Sequence, residues 1–126
     1  MPTSVRVIRP RDFVRATAGG VLDLEAAEKM LADIAAAAAK ETDLELLIDT
    51  RRAHGMLGAA DLWFLADRLV KYRGTFERKT AVLCPTEKFD RARFFALCAE
   101  NKGFNVQAFT SYEDAMEWLM GQDEGD

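Results

Sequence analysis

The sequence is poor in the residues that form disulfides, bind metals or cross membranes. Its 126 residues include two cysteines, one histidine and three prolines. Cys84 and Cys98 stand fourteen positions apart and form neither a C-x-x-C pair nor a zinc-type spacing, which predicts two reduced, packed thiols. The longest uninterrupted apolar run, residues 34–39, has six members, far fewer than the roughly 18 that a transmembrane helix needs. We therefore expect no metal, no cofactor and no integral membrane association.

Other signals of function are also missing. The segment GMLG (residues 55–58) lacks the Lys-Ser/Thr pair that follows a phosphate-binding glycine loop. No basic helix carries interleaved stacking aromatics and the net charge is −4, so nucleic acid binding is disfavoured. The N-terminal segment has no apolar stretch followed by a small-residue cleavage site, which predicts a cytoplasmic protein.

Composition and length indicate a single globular domain. Hydrophobic residues make up 49% and charged residues 30% of the chain, as in ordinary soluble proteins. We expect order over residues 4–120 and an acidic tail at residues 121–126. Residues 51–102 carry eleven Lys or Arg against six Asp or Glu, whereas residues 103–126 carry six acids and no Lys or Arg. This uneven charge either attracts a charged partner or reflects solvated helix faces.

Periodicity predicts elements in the order β-β-α-β-α-β-α-β-α. Alternating or continuous apolar patterns predict strands at residues 4–9, 13–18, 44–49, 79–84 and 104–109. Apolar stripes and capping signals predict helices at residues 24–40, 59–72, 86–101 and from 111 onward. The last three strands alternate with helices and are expected to be parallel, with an antiparallel hairpin at the start. The predicted fold class is α/β, a small mixed sheet of about five strands flanked by helices.

Individual residues mark the ends of several elements. Asp23 and Ser111 are predicted N-caps of the first and last helices, and Thr86 is predicted to cap the third. The glycine pair at residues 19–20 is expected to end the second strand. Gly103 is expected to close the third helix.

Several segments together resemble the SpoIIAA-like group of the STAS domains, the fold of anti-sigma-factor antagonists. The strand LELLIDTR (residues 44–51) is similar to the family's apolar strand that ends in Asp. The segment KTAVLC, a helix and then FNVQAF are similar to its fourth and fifth strands, and FTSYEDAMEWL (residues 109–119) to its closing strand and helix. The resemblance extends over residues 4–120 and implies a regulatory domain that is not an enzyme and binds a protein partner.

The phosphorylation motif of that family is incomplete here. In phospho-regulated antagonists the third strand leads into Asp-Ser-Ser-Gly, and a partner kinase phosphorylates the second serine. The resemblance places Asp49 at the Asp, Thr50 at the first serine, Arg51 at the phosphorylated serine and Arg52 at the glycine. It therefore implies a domain without the usual phosphorylatable serine. Thr50 would replace that serine only if the loop shifted by one residue.

The segment TRRAH after the third strand is predicted to be a loop that leads into the second helix. In open α/β sheets, ligands bind outside the carboxyl ends of strands, and a helix start offers free amides to anions. Arginine forks suit phosphate and carboxylate. We interpret Thr50, Arg51, Arg52, His54 and Thr86 as a candidate anion-binding notch. The alternative is that the arginines are solvent-facing loop charges.

The same region holds residue types that could serve catalysis. Asp49, His54 and Cys84 include the types needed for an orienting acid, a base and a thiol nucleophile. Nothing in their spacing requires them to meet, and an Asp at a strand end is commonly a turn or cap residue. We therefore assign no catalytic residues.

Two adjacent aromatic pairs stand on predicted helices. They are Trp63-Phe64 on the second helix and Phe94-Phe95 on the third. A surface helix has one inward stripe, so both members of a pair are hard to bury. Either helix edges shield them, or they form a protein interface, above all a homodimer, or line an apolar ligand pocket. The leading hypothesis is thus a domain that binds a protein partner or itself, and the alternative is a sensor of a small anionic or apolar, lipid-like ligand.

Overall fold

The computed structural model describes residues 4–8, 13–39, 45–55 and 57–121. Most of the predicted acidic tail lies outside these ranges. Within them, the strands are β1 (Ser4–Ile8), β2 (Phe13–Val21), β3 (Glu45–His54), β4 (Thr80–Leu83) and β5 (Val106–Phe109). The helices are α1 (Leu24–Ala38), α2 (Ala59–Arg68), α3 (Arg73–Phe76), α4 (Phe89–Glu100) and α5 (Tyr112–Met120), and 3₁₀ turns span Leu69–Tyr72 and Thr86–Lys88. None of the helices in the described ranges has the length and apolarity needed to cross a membrane.

The five described strands form one sheet in which spatial order follows chain order, β1-β2-β3-β4-β5. β1 is antiparallel to β2, and β2 to β5 are mutually parallel. This confirms the predicted mixed α/β sheet. Because parallel crossovers are right-handed, a sheet that grows in one direction places every connecting helix on the same face. α1, α2 and α4 accordingly cover one face, and α5, which follows the last strand, covers the other.

The two faces of the sheet carry separate apolar cores. Along β3, Leu46 and Ile48 pack under α1, α2 and α4, whereas Leu47 packs under α5. The continuous apolar centre of β3 is thus buried on both faces of the sheet. The stripe predicted on α1 is also buried, with Ile34 fully enclosed, and truncating such a side chain to alanine costs about 3 kcal/mol.

Three predicted end signals are confirmed. The Asp23 carboxylate accepts a hydrogen bond from the Ala26 amide at 2.8 Å, and the Ser111 hydroxyl accepts one from the Asp114 amide at 3.2 Å. Gly103, which follows α4, has a φ of +94°, a conformation that favours glycine.

The predicted role of Thr86 as a helix cap is wrong. Thr86 lies in a 3₁₀ turn, and α4 begins only at Phe89, after Lys88 as its N-cap. The Lys88 amide donates to the Pro85 carbonyl at 3.0 Å. The backbone therefore forms a tight turn of its own where the sequence indicated the first turn of an α-helix.

β2 and β3 extend beyond their predicted ends. β2 continues through the glycine pair to Val21, and β3 continues past Asp49 to His54. The pairing shifts register between Thr17 and Gly19, opposite residues 49–52, as in a β-bulge. This irregularity allows pairing to resume as far as Val21 and His54, so the predicted arginine loop is in fact part of a strand.

The second helix is shorter than predicted. α2 ends at Arg68 and is followed by a 3₁₀ turn and the short helix α3. The members of its apolar stripe are nevertheless all buried, namely Leu62, Leu65, Ala66 and Leu69. The apolar stripe thus predicted the buried face although the backbone geometry changes along it.

Candidate functional site

A cavity of about 120 Å³ lies between the sheet and helices α1, α2 and α4, beside the carboxyl ends of β3 and β4. Small side chains such as Ala27, Ala53 and Ala92 occupy several lining positions and leave space there. The lining is mainly apolar, which is typical of small-molecule sites. It consists of Leu22, Ala27, Met30, Leu31, Ile48, Thr50, Ala53, His54, Gly55, Leu57, Leu62, Leu65, Val82, Cys84, Lys88, Arg91, Ala92 and Phe95.

Two cations stand at this cavity. Among the described lining residues, Lys88 and Arg91 carry a charge at neutral pH, and neither Asp nor Glu is present. The Lys88 ammonium donates to the Gly55 carbonyl at 2.6 Å, and the Arg91 guanidinium donates to the Leu57 carbonyl at 2.7 Å. Both cations therefore hold the segment that joins β3 to α2.

Gly55 gives this segment its shape. Its φ is +96°, and a Cβ at this position would lie 3.3 Å from the Leu22 carbonyl oxygen. The neighbouring His54 carbonyl accepts a hydrogen bond from the Leu22 amide at 2.7 Å. α2 begins after Gly58, its N-cap, whose amide donates to the Asp61 carboxylate at 3.1 Å.

A carboxylate held by two arginines lies on the opposite face of the sheet. Asp49 is 4% exposed. Its oxygens accept from the Arg51 amide at 3.0 Å, from Arg51 Nε at 3.0 Å and from Arg51 Nη2 at 2.9 Å. Arg15 of β2 adds a bond of 2.9 Å and also lies over the Tyr112 ring of α5 at 5.5 Å. We call Asp49, Arg15 and Arg51 the carboxylate cluster.

The hydrogen bonds of the carboxylate cluster govern its ionisation. Burial raises the pKa of Asp49, but the bonds from the Arg51 side chain and backbone and from Arg15 outweigh burial and hold that pKa below its usual value of 3.8. The hydrogen bond to Asp49 in turn raises the pKa of Arg51. At neutral pH the cluster therefore contains one carboxylate and two guanidinium groups, an excess of one positive charge.

The residues of the predicted anion notch occupy three different environments. Thr50 and His54 line the cavity, and the Thr50 hydroxyl donates to the Leu83 carbonyl at 3.0 Å. Arg51 belongs to the carboxylate cluster on the other face. Arg52 and Thr86 are exposed and are not among the residues that line the cavity.

Lys88 and Arg91 lie at the cavity but are not part of the anion notch predicted from the sequence. They stand three positions apart around the start of α4, and side chains at that spacing share one face of a helix. Their position at the cavity follows from the strand order, because the carboxyl ends of parallel β3 and β4 must lie at one edge of the sheet. Cations following the fourth strand therefore meet residues that follow the third.

The three residue types considered for catalysis do not form one site. Asp49 faces α5 with its two arginines, whereas Cys84 lines the cavity on the other face. Burial raises the pKa of the Cys84 thiol, and the nearby charge of Glu87 raises it further, which lowers the thiolate fraction available for attack. Among the described residues, no group of three or more His, Cys, Asp or Glu could hold a metal ion.

The aromatic pairs are each split between a more exposed and a less exposed member. Trp63 is 53% exposed and Phe94 is 38% exposed. Phe64 and Phe95 are half-buried. Phe64 lies under the Arg68 guanidinium at 4.8 Å, and Phe95 lines the cavity. With Leu97, which is 49% exposed, Trp63 and Phe94 give α2 and α4 an apolar outer surface.

Solved structures share this architecture. No protein-family model matches the chain, and no curated protein matches its sequence. A DUF3478-family protein from Shewanella loihica PV-4, described as having a SpoIIAA-like fold, is 22% identical, with a TM-score of 0.60 and 93% of each chain covered. An anti-sigma factor antagonist from Mycobacterium paratuberculosis is 18% identical, with a TM-score of 0.62 and 94% of each chain covered. The anti-sigma factor antagonist SpoIIAA in its unphosphorylated form is 16% identical, with a TM-score of 0.59 and coverage of 94% of this chain and 98% of that one.

These similarities extend over 93–94% of this chain. At identities of 16–22% they establish the fold. The chain therefore has the SpoIIAA-like fold, as its sequence predicted.

Proposed function

We propose that this chain is a regulatory domain that binds a protein partner and has no enzymatic activity of its own. The observation that carries the proposal is the fold shared with two anti-sigma factor antagonists over 94% of this chain. The proposed contact surface is the sheet edge where β3 ends and α2 begins, with the exposed Arg52 and His54. A cytoplasmic location, predicted from the sequence, is part of this proposal.

The arrangement of β3 supports a partner-binding surface without a phosphorylation switch. Arg51 occupies the position that the resemblance assigns to the phosphorylated serine, and its guanidinium is bound to Asp49. The neighbouring Thr50 hydroxyl is only partly accessible and donates to the Leu83 carbonyl of β4. A kinase would have to break this inter-strand bond to reach Thr50. We therefore expect the surface to be available to its partner without dephosphorylation.

Affinity purification from the native host tests this proposal. The tagged wild type is compared with Arg52→Glu, which reverses a charge on the proposed surface, and with Arg93→Glu, which reverses an exposed charge on α4. We expect one protein to co-purify in stoichiometric amount with wild type and Arg93→Glu and to be lost with Arg52→Glu. Mass spectrometry of the same samples should show Thr50 unmodified. Stoichiometric phosphate on Thr50, or the absence of any specific partner, would contradict the proposal.

The absence of enzymatic activity is supported by the separation of the reactive groups. Asp49 and Cys84 face opposite sides of the sheet, and the thiol has a raised pKa. A screen with ester, phosphoester and thioester substrates tests this point, with Cys84→Ala as the control. We expect equal and negligible rates for both proteins. A turnover lost in Cys84→Ala would contradict it.

The cavity supports a second candidate function, the binding of a small apolar ligand. An engineered apolar cavity of about 150 Å³ in another protein remains dry and binds benzene. The cavity here has a volume of about 120 Å³ and a mainly apolar lining, so it suits a body of about six heavy atoms. Native mass spectrometry of the freshly purified protein, compared with Ala92→Phe, tests this function. A ligand retained by wild type and lost in the cavity-filling variant is the expected result.

A further inference from the structure

The lining of the cavity indicates what kind of small molecule it would bind. The apolar body would lie among aliphatic side chains and Phe95. Water in such a cavity has few polar groups to hydrogen-bond, so its replacement by the carbon atoms of a ligand is favourable. The charged lining residues are Lys88 and Arg91, and no acid accompanies them among the described residues of the lining. Glu87 and Asp90, their neighbours in sequence, are exposed and do not line the cavity.

The two cations are bound to weak acceptors. Each donates to a neutral backbone carbonyl, that of Gly55 or of Leu57. A hydrogen bond from a cation to a carboxylate is stronger than one to a neutral acceptor, and an arginine can contact both carboxylate oxygens. An anionic group at the cavity would therefore compete with these carbonyls for Lys88 and Arg91.

We propose, on the basis of the ligand-binding role above, that the cavity takes a small apolar molecule with one carboxylate, and that this carboxylate draws Lys88 and Arg91 away from the segment between β3 and α2. Gly55 and Leu57 then lose the donors that hold them against α4. The segment leads to Gly58, the N-cap of α2, and adjoins the surface proposed to bind a protein partner. Ligand binding thus loosens the start of α2 and changes that surface.

The position of the cations supports this coupling. Lys88, the N-cap of α4, and Arg91, in its first turn, reach across to residues that follow β3, over sequence separations of 33 and 34 residues. These two bonds tie the segment that leads from β3 into α2 to the start of α4. A ligand that changes them acts on two elements at once, because both side chains are anchored at the start of α4.

Hexanoate and its neutral amide, hexanamide, test the proposal because they have nearly the same shape and differ in charge. Binding to the full chain is followed by NMR titration at pH 7.5. We expect hexanoate to bind at least about tenfold more tightly than hexanamide, as a charge-assisted hydrogen bond predicts. Lys88→Gln and Arg91→Gln should each reduce this preference about threefold or more, and Arg93→Gln, on the exposed side of α4, should leave it unchanged.

The outcomes separate this proposal from the ligand-binding role on which it rests. Equal affinities for hexanoate and hexanamide, both abolished by Ala92→Phe, would overturn the choice of a carboxylate and leave the ligand-binding role in place. No binding of either molecule would overturn both. Hydrogen exchange of peptides that cover residues 55–62 tests the coupling: we expect faster exchange with hexanoate and not with hexanamide. Unchanged exchange at saturating hexanoate would overturn the release of the segment.

Discussion

Arg51 encloses the carboxylate of Asp49, two residues earlier on the same strand, with three hydrogen bonds of 2.9–3.0 Å. Residues two apart on a strand share a face, so the pair lies together on the α5 side of the sheet. Arg15 of β2 contacts the same carboxylate. The carboxylate cluster therefore joins neighbouring strands and fixes the side chain that the resemblance places at a phosphorylation site.

Asp49→Asn should destabilise the fold. The substitution removes charge-assisted bonds from a buried carboxylate and leaves two guanidinium groups near one another, at a cost of about 2 kcal/mol. The cost falls in the lower part of the usual range because the Arg51 side chain is 41% exposed and partly screened by water. Urea unfolding at pH 7 measures the loss. A change below about 0.5 kcal/mol would show that the cluster contributes little to stability.

The same carboxylate should make stability depend on acid pH. The pKa of Asp49 in the folded chain lies below its usual value of 3.8, so the unfolded chain binds the proton more readily. The stabilisation is fully present above about pH 5 and is lost as the pH falls through the folded pKa. Between about pH 5 and pH 2.5 the unfolding free energy of wild type should therefore fall more steeply than that of Asp49→Asn. Parallel curves for the two proteins would contradict the lowered pKa.

Gly55→Ala should be costly, whereas Gly19→Ala should not. At Gly55 an alanine combines the unfavourable φ of +96° with a Cβ 3.3 Å from the Leu22 carbonyl oxygen, and we expect a loss of about 1–2 kcal/mol. At Gly19 a Cβ meets no atom within 4 Å, so the change there should be within about 0.5 kcal/mol. Thermal unfolding of the two variants side by side is the measurement. Similar losses would mean that the turn after β3 relaxes to accommodate the side chain.

The two thiols should react at different rates. Cys84 is buried and its pKa is raised by burial and by Glu87, whereas Cys98 is half-buried. With Ellman's reagent at pH 7.5 we expect a fast phase from Cys98 and a phase at least about tenfold slower from Cys84. Cys98→Ala should retain only the slow phase, and hexanoate should slow it further. A single fast phase that accounts for both thiols would contradict the burial of Cys84.

The apolar outer surface of α2 and α4 should support self-association. Trp63 and Phe94 are large and exposed, and aromatic residues are favoured in interface cores. We expect light scattering after size-exclusion chromatography to show a dimer at high concentration and a monomer for the Trp63→Ser/Phe94→Ser variant. Val21→Ser alters a side chain of similar exposure on β2 and should leave the dimer intact. A wild type that stays monomeric at every concentration would remove the homodimer prediction.

The order of elements could be predicted because each element depends on a local sequence pattern. The α1 stripe around Ile34, the cap at Asp23 and the continuous apolar centre of β3 each depend on neighbours within a few residues. The length of β3 could not be predicted in this way. Its last residues pair with β2 only after the register shift near Gly19. The adjacent residues Arg51 and Arg52 indicate a loop unless the partner strand is known.

The candidate site was predicted only in part for a related reason. The sequence predicted a binding site after the third strand, and Thr50 and His54 do line the cavity. Arg51 projects to the face opposite Thr50, as adjacent residues of a strand do, and a pattern that indicates a loop does not predict this separation. Lys88 and Arg91 lie at the cavity because β3 and β4 are neighbours in the sheet. This places them beside residues more than thirty positions away in the sequence.

Alternation along β3 also separates the cavity from the carboxylate cluster. Thr50 borders the cavity, and its neighbour Arg51 serves the carboxylate cluster beneath α5, with the sheet itself between them. A substitution at one of these two adjacent positions can change the cavity or the carboxylate cluster without changing the other. Substitutions of Thr50 are therefore expected to act on the cavity, and substitutions of Arg51 on the contacts beneath α5.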